Sequence, residues 1–243
     1  MPPETLDSLF SGHTVVLTGV GREGQLGEIV ARQFAGHGAN VVVVDRRRET
    51  VDARIAALAQ NGGTATGYAC DLTDADAVAR LANEVRRAHG SKLHALVHMA
   101  GGFAMSGPVA NSSLDVWDRM LATHLRATYL TTRAFLPLLR AGRGSIVLFS
   151  SQAALSGATG ADMSAYAVAK TGVAVLTRAI AAEERENGVR ANAVAPSVIR
   201  TAANVQAMGE NASYVEREDV ASTVTFLCSG AAAAITGQVI ALA

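Results

Sequence analysis

The stretch Thr18-Gly19-Val20-Gly21-Arg22-Glu23-Gly24-Gln25-Leu26-Gly27 decides the fold. It follows a β-branched run at 14–17 and opens a helical-period segment at 24–36. Glycines between a strand and a helix let the backbone turn tightly and approach a pyrophosphate, whose charge meets the helix N-terminus. On either side, short apolar runs alternate with helical segments along the chain. The runs lie at 14–17, 41–44, 66–69, 93–98, 145–149, 190–194 and 238–242, and the segments at 24–36, 49–61, 74–89, 114–140, 163–187 and 217–229. Nearly unbroken apolar runs are how parallel strands covered on both faces read. In 74–89, Ala77, Val78, Leu81, Ala82 and Val85 follow helical spacing, with Asp71, Thr73 and Asp74 as cap candidates before them. The alternation predicts an α/β fold: a single doubly wound domain over 1–243, with seven parallel strands in the order 3-2-1-4-5-6-7 and helices on both faces. The weakly periodic stretch 202–217 is expected to be a short substrate lid.

The composition excludes several partners. Of 243 residues, 49% are hydrophobic and 17% charged, which argues against disorder. Lys+Arg and Asp+Glu are both 21, and a zero balance argues against nucleic acid or an anionic membrane surface as partner. Residues 1–12 carry Glu4 and Asp7 and no basic segment leading an apolar run, unlike a signal peptide. No run of about 20 apolar residues reads as a membrane span, so a cytoplasmic protein is expected. Cys70 and Cys228 form no CxxC and are expected to be buried thiols, a single disulfide remaining open. Only Lys92 and Lys170 are lysine; every other basic residue is arginine.

The second strand ends at Asp45, 26 residues after Gly19. A carboxylate there accepts hydrogen bonds from the ribose hydroxyls of an adenosine and repels a 2′-phosphate, which favours NAD(H). Arg22 and Arg46 flank the acid and keep NADP(H) possible, although both also read as solvated surface arginines.

Tyr166-Ala167-Val168-Ala169-Lys170 stands near the start of a long helix, with Tyr166 and Lys170 on one face. An ammonium beside a phenol favours the phenolate and is expected to lower its pKa. The fifth strand ends at Ser150-Ser151, and Ser151 lies 15 residues before Tyr166, placed to hold a carbonyl oxygen. Lysine suits the position better than arginine, whose broad fork is not a compact point charge.

These residues resemble the short-chain dehydrogenase/reductases, over essentially the whole chain. The matching motifs are Thr18-Gly19, Asp71 after the third strand, Ala100-Gly101 after the fourth, Ser151, Tyr166, Lys170, the segment from Pro196 to Thr201, and Ile235-Thr236-Gly237. The resemblance implies a Rossmann-type fold and hydride transfer between a nicotinamide and a small carbonyl or alcohol. Tyr166 would be the general acid or base. Lys170 would lower its pKa and hold the nicotinamide ribose, and Ser151 would orient the substrate oxygen. The cofactor would lie along Gly19, Arg22, Gly24 and Leu26 of the glycine loop and along Asp45 and Arg46. It would continue past Asp71 and Leu72 at the adenine and Ala100 and Gly101 beyond the fourth strand. Pro196, Ile199 and Thr201 would close over the nicotinamide, with the Ile199 backbone at the carboxamide.

The chain departs from the family pattern at several points. The usual eight-residue TGxxxGxG is ten residues here, from Thr18 to Gly27, with Gln25 where glycine is common. NNAG reads His98-Met99-Ala100-Gly101, so His98 either steadies the central sheet through a ring nitrogen or is simply buried. The family's catalytic asparagine aligns with His124, which either preserves the backbone contact, adds a titratable group to the proton relay, or only packs the helix. Pro196-Ser197 replaces Pro-Gly, and with Gly101-Gly102-Phe103 and the short lid it resembles a subgroup related to dihydropteridine reductases.

His94 and His98 lie about 13 Å apart on one predicted strand, too far to share a metal, and no catalytic metal is expected. Arg46-Arg47-Arg48 reads as a solvated charge run. Met99, Phe103, Met105, Met208 and Tyr214 flank the predicted pocket and read either as an apolar substrate wall or as core. The apolar faces of 163–187 predict a homodimer or homotetramer, as family members pair through this helix. Two alternatives stand beside the oxidoreductase: a nucleotide-binding protein with little or no catalysis, and an epimerase or dehydratase with a resident NAD.

Overall fold

The computed structural model describes residues 9–155 and 157–243. Most of the N-terminal segment read against a signal peptide therefore lies outside the described residues. Seven strands form one parallel sheet in the order β3-β2-β1-β4-β5-β6-β7. They are β1 (Thr14–Thr18), β2 (Asn40–Asp45), β3 (Thr64–Ala69), β4 (Ala95–His98), β5 (Ser145–Phe149), β6 (Arg190–Pro196) and β7 (Val239–Leu242). The helices are α1 (Leu26–Gly36), α2 (Arg48–Gln60), α3 (Ala75–His89), α4 (Leu114–Met120), α5 (Ala127–Gly142), α6 (Ser164–Glu183), α7 (Ala202–Met208) and α8 (Arg217–Cys228).

Side-chain alternation along the strands divides the interior into two cores. Val15 and Leu17 of β1 and Val41 and Val43 of β2 pack with α1, α2 and α8. Val16, Val42 and Val44 face the other way, toward α3, α5 and α6. Both faces are covered, so the central strands are apolar throughout. Each fully buried Val or Leu contributes about 1.5–3 kcal/mol. Asp74 caps α3, accepting from the Asp76 and Ala77 N–H groups. Among the described residues α6 is long and apolar enough to cross a bilayer by length and composition. Its Val173 and Ile180 instead fill the second core.

Two segments differ from expectation. The helix expected at 114–140 ends at Gly142 and is interrupted by a π-helical segment, Leu121–Arg126. A π-turn inserts one residue into the helical ladder and re-aims the side chains around it, and such bulges are frequent at functional sites. His124 sits within it and is buried. The stretch at 202–217, expected to be irregular, contains α7, whose first turn is capped by the Thr201 hydroxyl accepting from the Asn204 N–H. A β-bridge between Ile199 and Val215 closes the stretch behind α7. The weak apolar period of a seven-residue helix hides this structure in the sequence.

Arg140 of α5 holds Glu184, just past α6, through two hydrogen bonds of 2.8 and 2.6 Å. These bonds hold the Glu184 carboxyl below the ordinary carboxylate range. A depressed folded pKa contributes stability above the unfolded pKa that is lost as pH falls through the folded one. Glu184→Gln is therefore expected to lower Tm by about 3–6 °C near neutral pH, for a lost charged hydrogen bond of about 1.5–3 kcal/mol. The gap from wild type should close on acidification, as read by thermal melts across pH.

Candidate active site

The site is assembled at the carboxyl ends of β1, β2, β4, β5 and β6, where open parallel sheets hold their ligands. The glycine loop leaves β1 with Gly19 at φ +74°, its N–H donating to the Val44 carbonyl (2.9 Å). A Cβ on Gly19 would lie 2.6 Å from the Ala100 nitrogen, and one on Gly27 would lie 2.5 Å from the Gly19 oxygen. The loop thus packs backbone against backbone. The Gly24 N–H donates to the Glu28 carboxylate (2.7 Å). Gln25 precedes α1 with no side-chain cap, so the first turn, beginning at the buried Leu26, keeps backbone donors of the kind that hold a phosphate. This cradle fits the pyrophosphate of a dinucleotide despite the lengthened loop.

Asp45 ends β2 beside that loop. Its carboxylate accepts from the Gly21 N–H (2.9 Å) and the Arg46 N–H (2.8 Å). Arg22 and Arg46 are exposed. Asp71 accepts from the Thr73 N–H (2.9 Å) and hydroxyl (2.7 Å), and chiefly through these bonds its carboxyl is held low, with a further contribution from the Arg46 charge. Leu72 is buried in the second core. Ala100 and Gly101 follow β4, with the Ala100 N–H reaching the Thr18 hydroxyl (3.3 Å).

The second half of the site gathers on α6. Ser151, just past the end of β5, acts on the Tyr166 phenol in the sense that favours the phenolate. The Tyr166 ring is held edge-on by Phe103 (5.1 Å between centroids) and His124 (5.3 Å). Lys170 is buried, its Nζ donating to the Phe149 carbonyl (2.7 Å) and lying 5.7 Å from the Tyr166 ring centre. The Ser150 hydroxyl ties the Lys170 carbonyl to the end of β5 (3.0 Å). One expectation needs correction. Burial raises the Tyr166 phenol above its ordinary value, opposed by Ser151, where the spacing alone led to a lowered one. Burial also brings Lys170 down, to about 7.

His124 contributes as a neutral ring. Its Nε2 lies 2.7 Å from the Gly102 carbonyl and 3.4 Å from the Gly102 nitrogen, and the shorter contact is made with the hydrogen on Nε2. Burial foremost, then the Lys170 charge, brings its pKa to about 3. The His124 Nδ1 makes no hydrogen bond among the described residues. It lies against Gly101, where a Cβ would sit 2.9 Å from it. The His124 carbonyl accepts a short hydrogen bond from the Thr128 hydroxyl. His98 is buried with its Nδ1 3.1 Å from the Thr18 hydroxyl, linking β4 to β1 as an asparagine would.

The remaining predicted residues line the β6 end. Pro196 is in register with Leu242 of β7. The Ile199 carbonyl accepts from the Thr201 N–H and from Asn204 Nδ2 (2.8 Å each). Thr201 is buried as the α7 cap. Ala202 faces Gly24 across the site, with a Cβ built on that glycine 3.7 Å away. Met208, Phe103 and Met105 are exposed and so are not part of the core. Cys70 and Cys228 are free and buried, and no metal-binding cluster occurs among the described residues.

Sequence reasoning missed Arg54 and Glu28, which lie against the glycine loop. The available signal was Arg54 itself, a charge between Val51 and Leu58 on the buried stripe of α2.

The chain is similar to known proteins over most of its length. Residues 19–242 match the family model described as Enoyl-(Acyl carrier protein) reductase. Dehydrogenase/reductase SDR family member 4 of Bos taurus is 33% identical, over 90% of this chain and 82% of the relative. The chain is a short-chain dehydrogenase/reductase. Meso-2,3-butanediol dehydrogenase of Serratia marcescens is 34% identical to this short-chain dehydrogenase/reductase, over 94% of the chain and 92% of the relative. Among solved structures, a short-chain type dehydrogenase/reductase from Mycobacterium ulcerans superposes with a TM-score of 0.87 at 32% identity, covering 96% and 88% of the two chains.

Proposed function

We propose that this short-chain dehydrogenase/reductase transfers hydride between a nicotinamide dinucleotide and the carbon of a small carbonyl or alcohol, with Tyr166 as general acid and base. The observation that carries this reading is Tyr166 set on α6 one helical turn from the buried Lys170, whose Nζ lies 5.7 Å from the Tyr166 ring centre. When bound, the dinucleotide supplies or accepts the hydride. Ser151 and Tyr166 hold the substrate oxygen between two hydroxyls. The raised phenol pKa keeps Tyr166 protonated at neutral pH, the form that donates a proton during carbonyl reduction. Lys170, at about 7, exchanges protons near neutrality and holds the ribose. His124 serves as a neutral hydrogen-bonding ring that fixes Gly102 and the edge of Tyr166. Phe103, Met105 and Met208 give the substrate an apolar wall, with 202–217 as its lid.

Gly19, Gly24 and Leu26 cradle the pyrophosphate, with Arg22 beside it. Asp71 and Leu72 border the adenine, Ala100 and Gly101 the ribose, and Pro196, Ile199 and Thr201 the nicotinamide. Asp45 favours NAD(H), because its carboxylate is fixed at the ribose end by two backbone donors. Calorimetric titration is expected to show tighter binding of NADH than NADPH, and Asp45→Ala should narrow the ratio at least tenfold. Failure to bind either nucleotide at millimolar concentration overturns the reading. We also propose a homodimer or homotetramer. An apolar groove lined by Leu121, Leu125, Tyr129 and Leu176, and the exposed Val168 and Val175 of α6, support it.

A further inference from the structure

The lengthened glycine loop is held from behind by one buried side chain. Arg54 of α2 is 6% exposed, although α2 is otherwise a surface helix of mixed polarity. Its Nε donates to the Val20 carbonyl (3.0 Å) and its Nη2 to the Arg22 carbonyl (3.4 Å). Nη2 also lies 3.6 Å from the Glu28 carboxylate, which in turn accepts from the Gly24 N–H (2.7 Å). The loop's backbone is thereby tied at three points by a single ion pair.

The direction of these bonds carries a consequence for the site. In a trans peptide the C=O and N–H point opposite ways. The Val20–Gly21 peptide donates its N–H to Asp45 (2.9 Å) while its carbonyl faces Arg54, so one peptide plane is gripped between the two side chains. Any rotation of that plane moves the Asp45 carboxylate. The Arg22–Glu23 peptide turns its carbonyl inward to Arg54, which sends the Glu23 N–H outward on the side of the loop away from α2. A planar fork presents two fixed donors to two carbonyls two residues apart, whereas an ammonium offers no such preset pair.

We propose that Arg54, with Glu28 as its counter-ion, is a positioning residue for the dinucleotide. It orders the ten-residue loop so that the Glu23 N–H and the first-turn donors of α1 face the pyrophosphate and Asp45 faces the adenosine ribose. This inference rests on the dinucleotide reading above. Preordering removes the entropic cost of fixing the loop on binding, so the effect falls on affinity and on nucleotide choice.

Three chains test it: wild type, Arg54→Met and Arg54→Lys. The readouts are NADH and NADPH titration calorimetry and hydrogen exchange of the nucleotide-free proteins. Arg54→Met is expected to raise the NADH Kd at least tenfold and to reduce the NADPH/NADH Kd ratio. It should speed exchange across 18–27 while leaving β4 and β5 protected. Arg54→Lys keeps the charge toward Glu28 and is expected to fold, yet to bind NADH at least fivefold more weakly than wild type. That variant alone decides the matter if Arg54→Met does not fold. Wild-type affinity and selectivity in Arg54→Met, or full affinity in Arg54→Lys, overturns the inference while leaving the dinucleotide reading intact. Wild type binding neither nucleotide overturns both.

Discussion

Tyr166→Phe is expected to lower turnover by about 10²–10⁴-fold, the range that a positioned general acid or base contributes. Nucleotide affinity should stay within a factor of two. The phenyl ring keeps its edge contacts with Phe103 and His124, so the substitution removes the hydroxyl and little else. The measurement is nicotinamide absorbance on a panel of small ketones and aldehydes, beside calorimetric titration of the same preparations. Unchanged turnover in the variant would remove Tyr166 from the chemistry and favour a nucleotide-binding role with little catalysis.

Gly19→Ala should fail in both stability and binding. At φ +74° the left-handed backbone costs an L-residue about 1–2 kcal/mol. The new methyl would also lie 2.6 Å from the Ala100 nitrogen and 2.7 Å from its Cα. Neither atom is the end of a flexible side chain, so the strands themselves must part, at a further cost of about 1–3 kcal/mol. The sum of about 2–5 kcal/mol predicts a Tm lower by about 4–10 °C and no measurable NADH binding. Gly62→Ala is the matched control. Its φ is +77° but nothing lies within 4 Å of its Cβ position, so it should show the backbone cost alone. Equal melting temperatures for the two variants would refute the close approach at Gly19.

Much of the fold was legible because the relevant physics is local and periodic. Uninterrupted apolar runs such as 41–44 need two covered faces, and that requires a parallel sheet with crossover helices. Asp74 was legible as a cap because a cap depends on a few neighbouring residues. Tyr166 and Lys170 were legible as a pair because helical spacing puts them on one face. The π-turn at His124 was not, since its ladder differs from an α-helix by one residue and leaves no distinct apolar period. Helix α7 was hidden for a similar reason, being too short to show a period.

The sequence by itself determined which groups are present and their order along the strands: the glycine loop, Asp45, Ser151, Tyr166 and Lys170. Tertiary structure alone decided their chemical state. Burial brings Lys170 to about 7 and raises Tyr166, a reversal of the expectation drawn from their spacing, because desolvation depends on what surrounds a group rather than on its neighbours in the chain. Tertiary structure also decided that Arg54 serves the loop. It stands 34 residues from Val20, and only the packing of α2 against β2, β3 and α1 brings its fork to that carbonyl.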